Sequence, residues 1–385
     1  MRQSAYTMQL EVKVTLVEPL GAPQYQKFLP ADTAVQYLDA DGVLTASEAR
    51  YPRPDNARLV EMYRKMLLGR RFDQQATALT KQGRLAVYPS SRGQEACQIA
   101  AAMSLQSSDW MFPTYRDSVA LTARGVNPVQ ILSMLAGDWH CGYDSAAHRS
   151  APQCTPLATQ LLHAAGLAYG ERRKNRDTIA LAFCGDGATS EGDFHEALNF
   201  AAVFKAPVVF LVQNNGFAIS VPLARQSVAP SLAHKGVGYG IGSEQVDGND
   251  PVAMLAVMDE AARFVREGNG PVIVEAHTYR IDAHTNADDA TRYRQTTEVE
   301  EWLQRDPLAR LESYLRAGGL IDDAFVEKLT GEAESAAADL RAGMNTDRPS
   351  DPLDLFRHVF AEPTSQLREQ QAQVEAELAA ESEEN

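Results

Sequence analysis

Residues 178–220 read TIALAFCGDGATSEGDFHEALNFAAVFKAPVVFLVQNNGFAIS, and this stretch decides the fold. It holds two uncharged, β-rich runs, Thr178–Cys184 and Val208–Val212. The first ends in Gly185-Asp186-Gly187 and the second in Gln213-Asn214-Asn215-Gly216-Phe217. Between them Phe194, Ala197, Leu198, Ala201 and Ala202 recur at helical spacing over Phe194–Val203. Strand, turn, helix, turn, strand predicts a parallel pair joined by a right-handed crossover. The expected fold class is therefore α/β, a mostly parallel sheet flanked by helices. Both polar turns then fall at the carboxyl ends of neighbouring strands, where open α/β sheets bind ligands. Asp186 and Asn215 bring a carboxylate and a carboxamide there. Hard oxygen donors beside tight glycine turns suit a Mg²⁺ ion that bridges to phosphates.

Taken singly, a GDG or an NNG is usually just a turn. The pair carries more: residues 188–213, 26 in all, separate Gly187 from Asn214. This GDG…NN pair, each half ending a strand, resembles the thiamine-diphosphate motif. With its neighbours the stretch is similar to the α-subunit of the E1 component of a 2-oxoacid dehydrogenase complex, of the pyruvate or branched-chain type. The resemblance runs from about Leu59 to Arg294.

The resemblance implies the diphosphate-binding half of a thiamine-diphosphate-binding fold. It implies that Asp186 and Asn215 ligate Mg²⁺ through side-chain oxygens and Phe217 through its backbone carbonyl. Gly185, Gly187 and Ala188 would let the backbone approach the cofactor. Tyr115, Arg116 and His284 would bind its diphosphate, and His284 would also be catalytic in acyl transfer. An arginine fork suits that work because it matches phosphate oxygens bidentately. Thr155 and Leu157 would line the cofactor, in a segment that in some members also lines a monovalent cation. A lone Tyr-Arg pair or loop histidine is more often a surface or capping group, so these roles rest on the resemblance.

The same resemblance implies partners. No segment resembles the pyrimidine-binding domain that carries the cofactor-activating glutamate. In the family that glutamate lies on a separate β-subunit, so half an active site is expected here, completed in an α₂β₂ assembly. The implied activity is oxidative decarboxylation of a 2-oxoacid, with the acyl group passed to the lipoyl domain of an E2 acyltransferase. Pyruvate is the first choice, on QGRLAVY, GQEACQIA, the Asn-Asn-Gly-Phe turn and DDATRYR. Branched-chain 2-oxoacids come second, an acetoin dehydrogenase α-subunit is another member of the class, and a non-catalytic α/β scaffold is the reading from a different class.

Composition agrees with a globular enzyme subunit. The chain has 385 residues, 44% of them hydrophobic, and a formal net charge of −15. Such a charge argues against nucleic acid or an anionic membrane surface as the main partner. No apolar run has the length of a membrane span, and the amino terminus lacks the apolar core of a secretory signal. The four cysteines (Cys97, Cys141, Cys154, Cys184) show no CxxC or zinc spacing. That favours a cytoplasmic setting, with Cys184 a small core residue.

Three regions are expected: an N-terminal extension (1–54), an α/β domain (55–345) and a helical acidic tail (346–385). In the first, LEVKVTLVEPLG reads as a short strand and DADG as a turn. In the second, helices are expected over 55–82, Gln94–Leu105, 157–170 (opened by Pro156) and Val252–Arg266. Pro271–Ala276 is a further buried strand, delivering the loop that carries His284. Alternating Gly236, Gly238, Gly240 and Gly242 do not make the dinucleotide fingerprint, since no GxGxxG register fits. His140 and His148 lack the remaining ligands of a zinc site. The His284 loop, Asp282–Gln295, holds no serine, although mitochondrial relatives carry a regulatory one. Ala283 stands where branched-chain relatives often have a second histidine. The acidic and polar composition of Asp282–Arg294 predicts that this part is mobile without cofactor and orders when the diphosphate binds.

Overall fold

A computed structural model describes residues 28–45, 50–138, 140–346 and 351–384. Its strands are β1 (Trp110–Phe112), β2 (Ala180–Gly185), β3 (Val208–Asn214), β4 (Phe217–Ala218), β5 (Val221–Pro222), β6 (Gly242–Asp247) and β7 (Val272–His277). Five of them form one sheet in the order β1-β2-β3-β7-β6. Every neighbouring pair in it is parallel. The expected pair β2 and β3 sits at its middle, in register from Ala180 opposite Val208 to Gly185 opposite Gln213. β4 and β5 make a separate antiparallel hairpin just beyond β3.

Side-chain alternation along the strands builds two cores, one on each face. Leu181, Phe183, Val209, Leu211, Val272 and Val274 point to one side, under helices Asn56–Lys81, Glu95–Met103 and Pro251–Arg266. Ala180, Ala182, Cys184, Val208, Phe210 and Val212 point to the other, under helices Thr159–Arg173 and Gly192–Val203. Small residues on β2 let those two helices lie close. Burying each Val, Leu or Phe contributes about 1.5–3 kcal/mol. Cys184 belongs to this second core, and burial pushes its thiol pKa upward.

Helix ends follow local chemistry. The Asp55 side chain accepts the Arg58 N–H to start Asn56–Lys81. Asp250 accepts the N–H groups of Val252 and Ala253, with Pro251 at the first helical position. One helix start differs from the expectation by two residues. The helix begins at Thr159, not at 157, and runs to Arg173. Ala158 holds a left-handed backbone, φ 65°, which a right-handed helix cannot include. Thr155, Pro156 and Leu157 therefore stay in an irregular segment.

The described part of the N-terminal region seals the sheet edge. Val35 forms a parallel bridge to Val246 on β6. Asp250 Oδ2 accepts the N–H groups of Tyr37 and Leu38, both at 2.6 Å. Buried Arg310 donates to the Asp39 carbonyl at 2.9 Å and to Asp247 at 3.0 Å. Within DADG, Asp39 Oδ1 accepts the Asp41 and Val43 N–H groups, so the stretch is a turn. The expected LEVKVTLVEPLG strand lies outside the described residues. At the other end Asp323–Met344 packs along Asn56–Lys81, and Ser365–Glu384 is a largely exposed acidic helix. Among the described residues no helix is long and apolar enough to cross a membrane.

Candidate functional site

The β2–β3 register puts Gly185 opposite Gln213, so the turns leaving both strands run side by side. Asp186 heads the first and is 1% exposed. Burial raises its carboxyl pKa, opposed by the Gln226 amide, whose Nε2 donates to Asp186 Oδ2 at 2.9 Å. Gly187 faces the second turn. A Cβ there would stand 2.7 Å from Ala218 Cβ, so the glycine lets the two turns touch. In the second turn Gly216 takes a positive φ of 84°. The Phe217 N–H donates to Asn215 Oδ1 at 3.2 Å, and Asn215 Nδ2 donates to Gln94 Oε1 at 3.2 Å.

The loop beyond β1 supplies Tyr115 and Arg116. Arg116 is buried; its Nη1 donates to the Ser90 carbonyl at 2.8 Å. Its Nη2 lies 3.1 Å from His284 Nδ1 and donates to the His284 carbonyl at 3.0 Å. The Tyr115 ring meets the imidazole edge-on, centroids 6.0 Å apart. Tyr115 N–H also donates to the Cys154 carbonyl at 3.1 Å, which brings the Thr155–Ala158 segment alongside.

The chain beyond β7 adds Arg280, 1% exposed. Its Nη1 lies 3.3 Å from His284 Nδ1, and its Nη2 donates to the Ile219 carbonyl at 2.9 Å and Tyr293 hydroxyl at 2.8 Å. Two guanidiniums thus converge on one imidazole nitrogen, which must accept. Burial, then Arg116 and Arg280, push the His284 pKa down to about 4. The ring is neutral at physiological pH, with Nε2 carrying the proton. Asp288 answers part of this positive charge by accepting the His284 backbone N–H at 2.7 Å.

All eleven residues expected at the site, Tyr115, Arg116, Thr155, Leu157, Gly185, Asp186, Gly187, Ala188, Asn215, Phe217 and His284, line one cavity of about 460 Å³. Val87, Pro89, Leu135 and Ile219 add an apolar wall. Arg280 and the glutamines Gln94, Gln160 and Gln213 also line it, and sequence reading did not single them out. Arg280 had a signal: it follows a predicted strand, four residues before His284. Gln160 closes the Thr155–Gln160 segment and Gln213 adjoins the Asn214-Asn215 turn, whereas Gln94 had no signal, because its partners come from distant parts of the chain.

The cavity fits a metal-bound diphosphate. Among the described residues no three His, Cys, Asp or Glu side chains cluster as a metal site. The available donors are instead one carboxylate, one carboxamide and a backbone carbonyl. Such a set suits Mg²⁺, which keeps other positions for phosphate oxygens and water. Arg280 Nε and Gln226 Oε1 are buried with no hydrogen-bond partner. An unpaired buried guanidinium N–H beside a second guanidinium calls for an anion. Gln160 Oε1 is likewise buried and unpartnered, while Gln160 Nε2 donates to the Phe183 carbonyl at 2.7 Å.

Residues 63–343 match the family model described as dehydrogenase E1 component. The chain is 45% identical over 347 residues to the 3-methyl-2-oxobutanoate dehydrogenase subunit alpha of Mycobacterium tuberculosis, covering 90% of this chain and 94% of that protein. It is 35% identical over 339 residues to the pyruvate dehydrogenase E1 component subunit alpha of Staphylococcus epidermidis, covering 87% and 91%. The Staphylococcus aureus protein of the same name is 34% identical over 342 residues, again covering 87% and 91%.

Proposed function

Because this chain belongs to the dehydrogenase E1 component family, as the α-subunit of a 2-oxoacid dehydrogenase, we propose that its substrate is a branched-chain 2-oxoacid such as 3-methyl-2-oxobutanoate. The observation that carries the choice is the 45% identity to a 3-methyl-2-oxobutanoate dehydrogenase subunit, against 35% to a pyruvate dehydrogenase subunit at similar coverage. This reverses the order drawn from short motifs, where pyruvate came first. Those motifs are short, whereas the identities run over 347 and 339 residues. The apolar wall of Val87, Leu135 and Ile219 is compatible with a branched acyl group.

The family implies thiamine diphosphate as cofactor. Bound, it supplies the nucleophilic carbon and electron sink that decarboxylation of a 2-oxoacid needs. In this reading Asp186, Asn215 and the Phe217 carbonyl hold Mg²⁺. Arg116, Arg280 and Tyr115 take the diphosphate oxygens, and the backbone at Gly185, Gly187 and Ala188 lies against it. Thr155 and Leu157 border the ring end, and Gln160 Oε1 offers an oxygen to a monovalent cation. His284 keeps its Nε2 proton directed by the two arginines and serves as the hydrogen-bond donor of acyl transfer. As an α-subunit the chain works with partner subunits. We take these to be a β-subunit carrying the activating glutamate, in an α₂β₂ assembly, and a lipoyl acyltransferase E2.

The test is reconstitution. The chain alone is expected to show no 2-oxoacid decarboxylation, and the chain with its β-subunit to turn over 3-methyl-2-oxobutanoate with a higher kcat/KM than pyruvate. 3-Methyl-2-oxobutanoate carries two more carbons than pyruvate, and one methylene in an apolar pocket is worth about 1–3 kcal/mol, or roughly 10–200-fold, so the preference should reach at least that size. A clear preference for pyruvate would restore the first ordering.

A further inference from the structure

The buried polar chain behind the second turn has a direction. Asp117 is 0% exposed. Its Oδ2 accepts the Thr114 N–H at 2.7 Å and hydroxyl at 2.6 Å, and its Oδ1 accepts Gln213 Nε2 at 2.6 Å. A carboxylate only accepts. Gln213 therefore spends its amino group on Asp117 and turns its Oε1 the other way, where it accepts Gln94 Nε2 at 3.1 Å. Gln94 Oε1 in turn accepts Asn215 Nδ2 at 3.2 Å. Asn215 is left with its amino group facing inward and its Oδ1 in the turn, on the Phe217 side. All four side chains are buried, so bulk water does not relax the order.

We propose that Asp117 is a positioning residue for the cation site: acting through Gln213 and Gln94, it decides that Asn215 presents oxygen, not an amino group, to the metal. The proposal rests on the reading of Asn215 as a Mg²⁺ ligand. The four residues come from separate places, the residue before helix Ser118–Ala123, the start of helix Glu95–Met103 and both sides of the β3 terminus. Reversing the chain would need a proton on Asp117, which would then donate to Gln213. Every amide downstream would flip, and Asn215 Nδ2 would point at the cation. An asparagine at 117 would keep its oxygen on the Thr114 N–H and turn its amino group toward Gln213, which favours the reversed direction.

The experiment uses the full chain co-purified with its partner subunit and stripped of Mg²⁺ and cofactor. Titration calorimetry gives the Mg²⁺ half-saturation at fixed thiamine diphosphate, and the thiamine diphosphate affinity at saturating Mg²⁺. Asp117→Asn is expected to weaken Mg²⁺ about 10–100-fold, the usual loss when an outer partner of a metal ligand is removed. Thiamine diphosphate affinity at saturating Mg²⁺ should stay near the unaltered value. Gln94→Met breaks the relay at its middle and is expected to give the same loss, so the test survives if Asp117→Asn does not fold. Asp117→Asn combined with Gln213→Glu restores an accept-only group that still receives Gln94 Nε2, and should recover Mg²⁺ affinity. Unchanged Mg²⁺ half-saturation in both single variants overturns the proposal. So does an equal loss of cofactor affinity at saturating Mg²⁺, or a double variant as weak as Asp117→Asn. If the unaltered protein shows no Mg²⁺-dependent binding, the metal reading itself falls.

Discussion

Arg116 grips His284 twice, through the imidazole Nδ1 at 3.1 Å and through the backbone carbonyl at 3.0 Å. One guanidinium thereby ties down the loop and, after burial and together with Arg280, helps to keep its histidine neutral. It joins two residues 168 apart in the chain.

The first prediction concerns that protonation state. His284 titrates near 4 when folded and about 6.5 when unfolded. Between those values the unfolded chain binds the extra proton, so this group costs stability as pH falls from about 6.5 to 4 and nothing above. Histidine hydrogen–deuterium exchange by mass spectrometry, run across pH, should show His284 with a midpoint well below 6. Arg116→Met should move it upward. A midpoint near 6.5 in the unaltered protein would falsify the two-arginine account.

The second concerns the metal. Asp186→Ala is expected to abolish Mg²⁺-dependent binding of thiamine diphosphate while the fold survives. Its removal takes away a carboxylate whose burial is costly without a cation. Calorimetry and circular dichroism on the assembled subunits check both halves. Unchanged cofactor affinity in the variant would sink the assignment.

Gly187 supplies the third. Alanine there would bring its Cβ to 2.7 Å from Ala218 Cβ and 3.3 Å from Ala218 Cα, on strand β4. Overpacking of this kind costs about 1–3 kcal/mol. Gly187→Ala should lower the denaturant midpoint by a corresponding amount and weaken cofactor binding. An unshifted midpoint would mean that the turns separate freely.

The fourth concerns the loop. Its ends are tied: Ser90 Oγ donates to Asp282 at 2.8 Å, and Arg294 donates to the backbone carbonyls of Arg280, Ile281 and Asp282. Its middle, near Asn286 and Ala287, is exposed. Hydrogen exchange should therefore slow on cofactor binding chiefly around 283–289, with the Arg294 end already protected. Equal protection with and without cofactor would count against ordering.

Much of the fold was legible because its signals are local. Val208–Val212 is uncharged and β-branched, Gly185-Asp186-Gly187 follows directly on a strand, and each side chain's face follows from its place in a period of two. Gly185, Asp186, Gly187, Ala188, Asn215 and Phe217 came with those local motifs; Tyr115, Arg116, Thr155, Leu157 and His284 came from the family resemblance. What the sequence by itself determined is the α/β class, the paired turns and which oxygen donors they carry. Tertiary structure alone decided the rest. Ala158 takes a left-handed backbone that moves a helix start, because it must pack in the core below the turn. Arg280 becomes a second cation on His284 only once β7 lies beside β3. The direction of the Asp117, Gln213, Gln94 and Asn215 chain exists only where strand ends and a helix start meet. Hydrogen-bond polarity belongs to the set of partners a group finds in space, and neighbours in sequence do not reveal it.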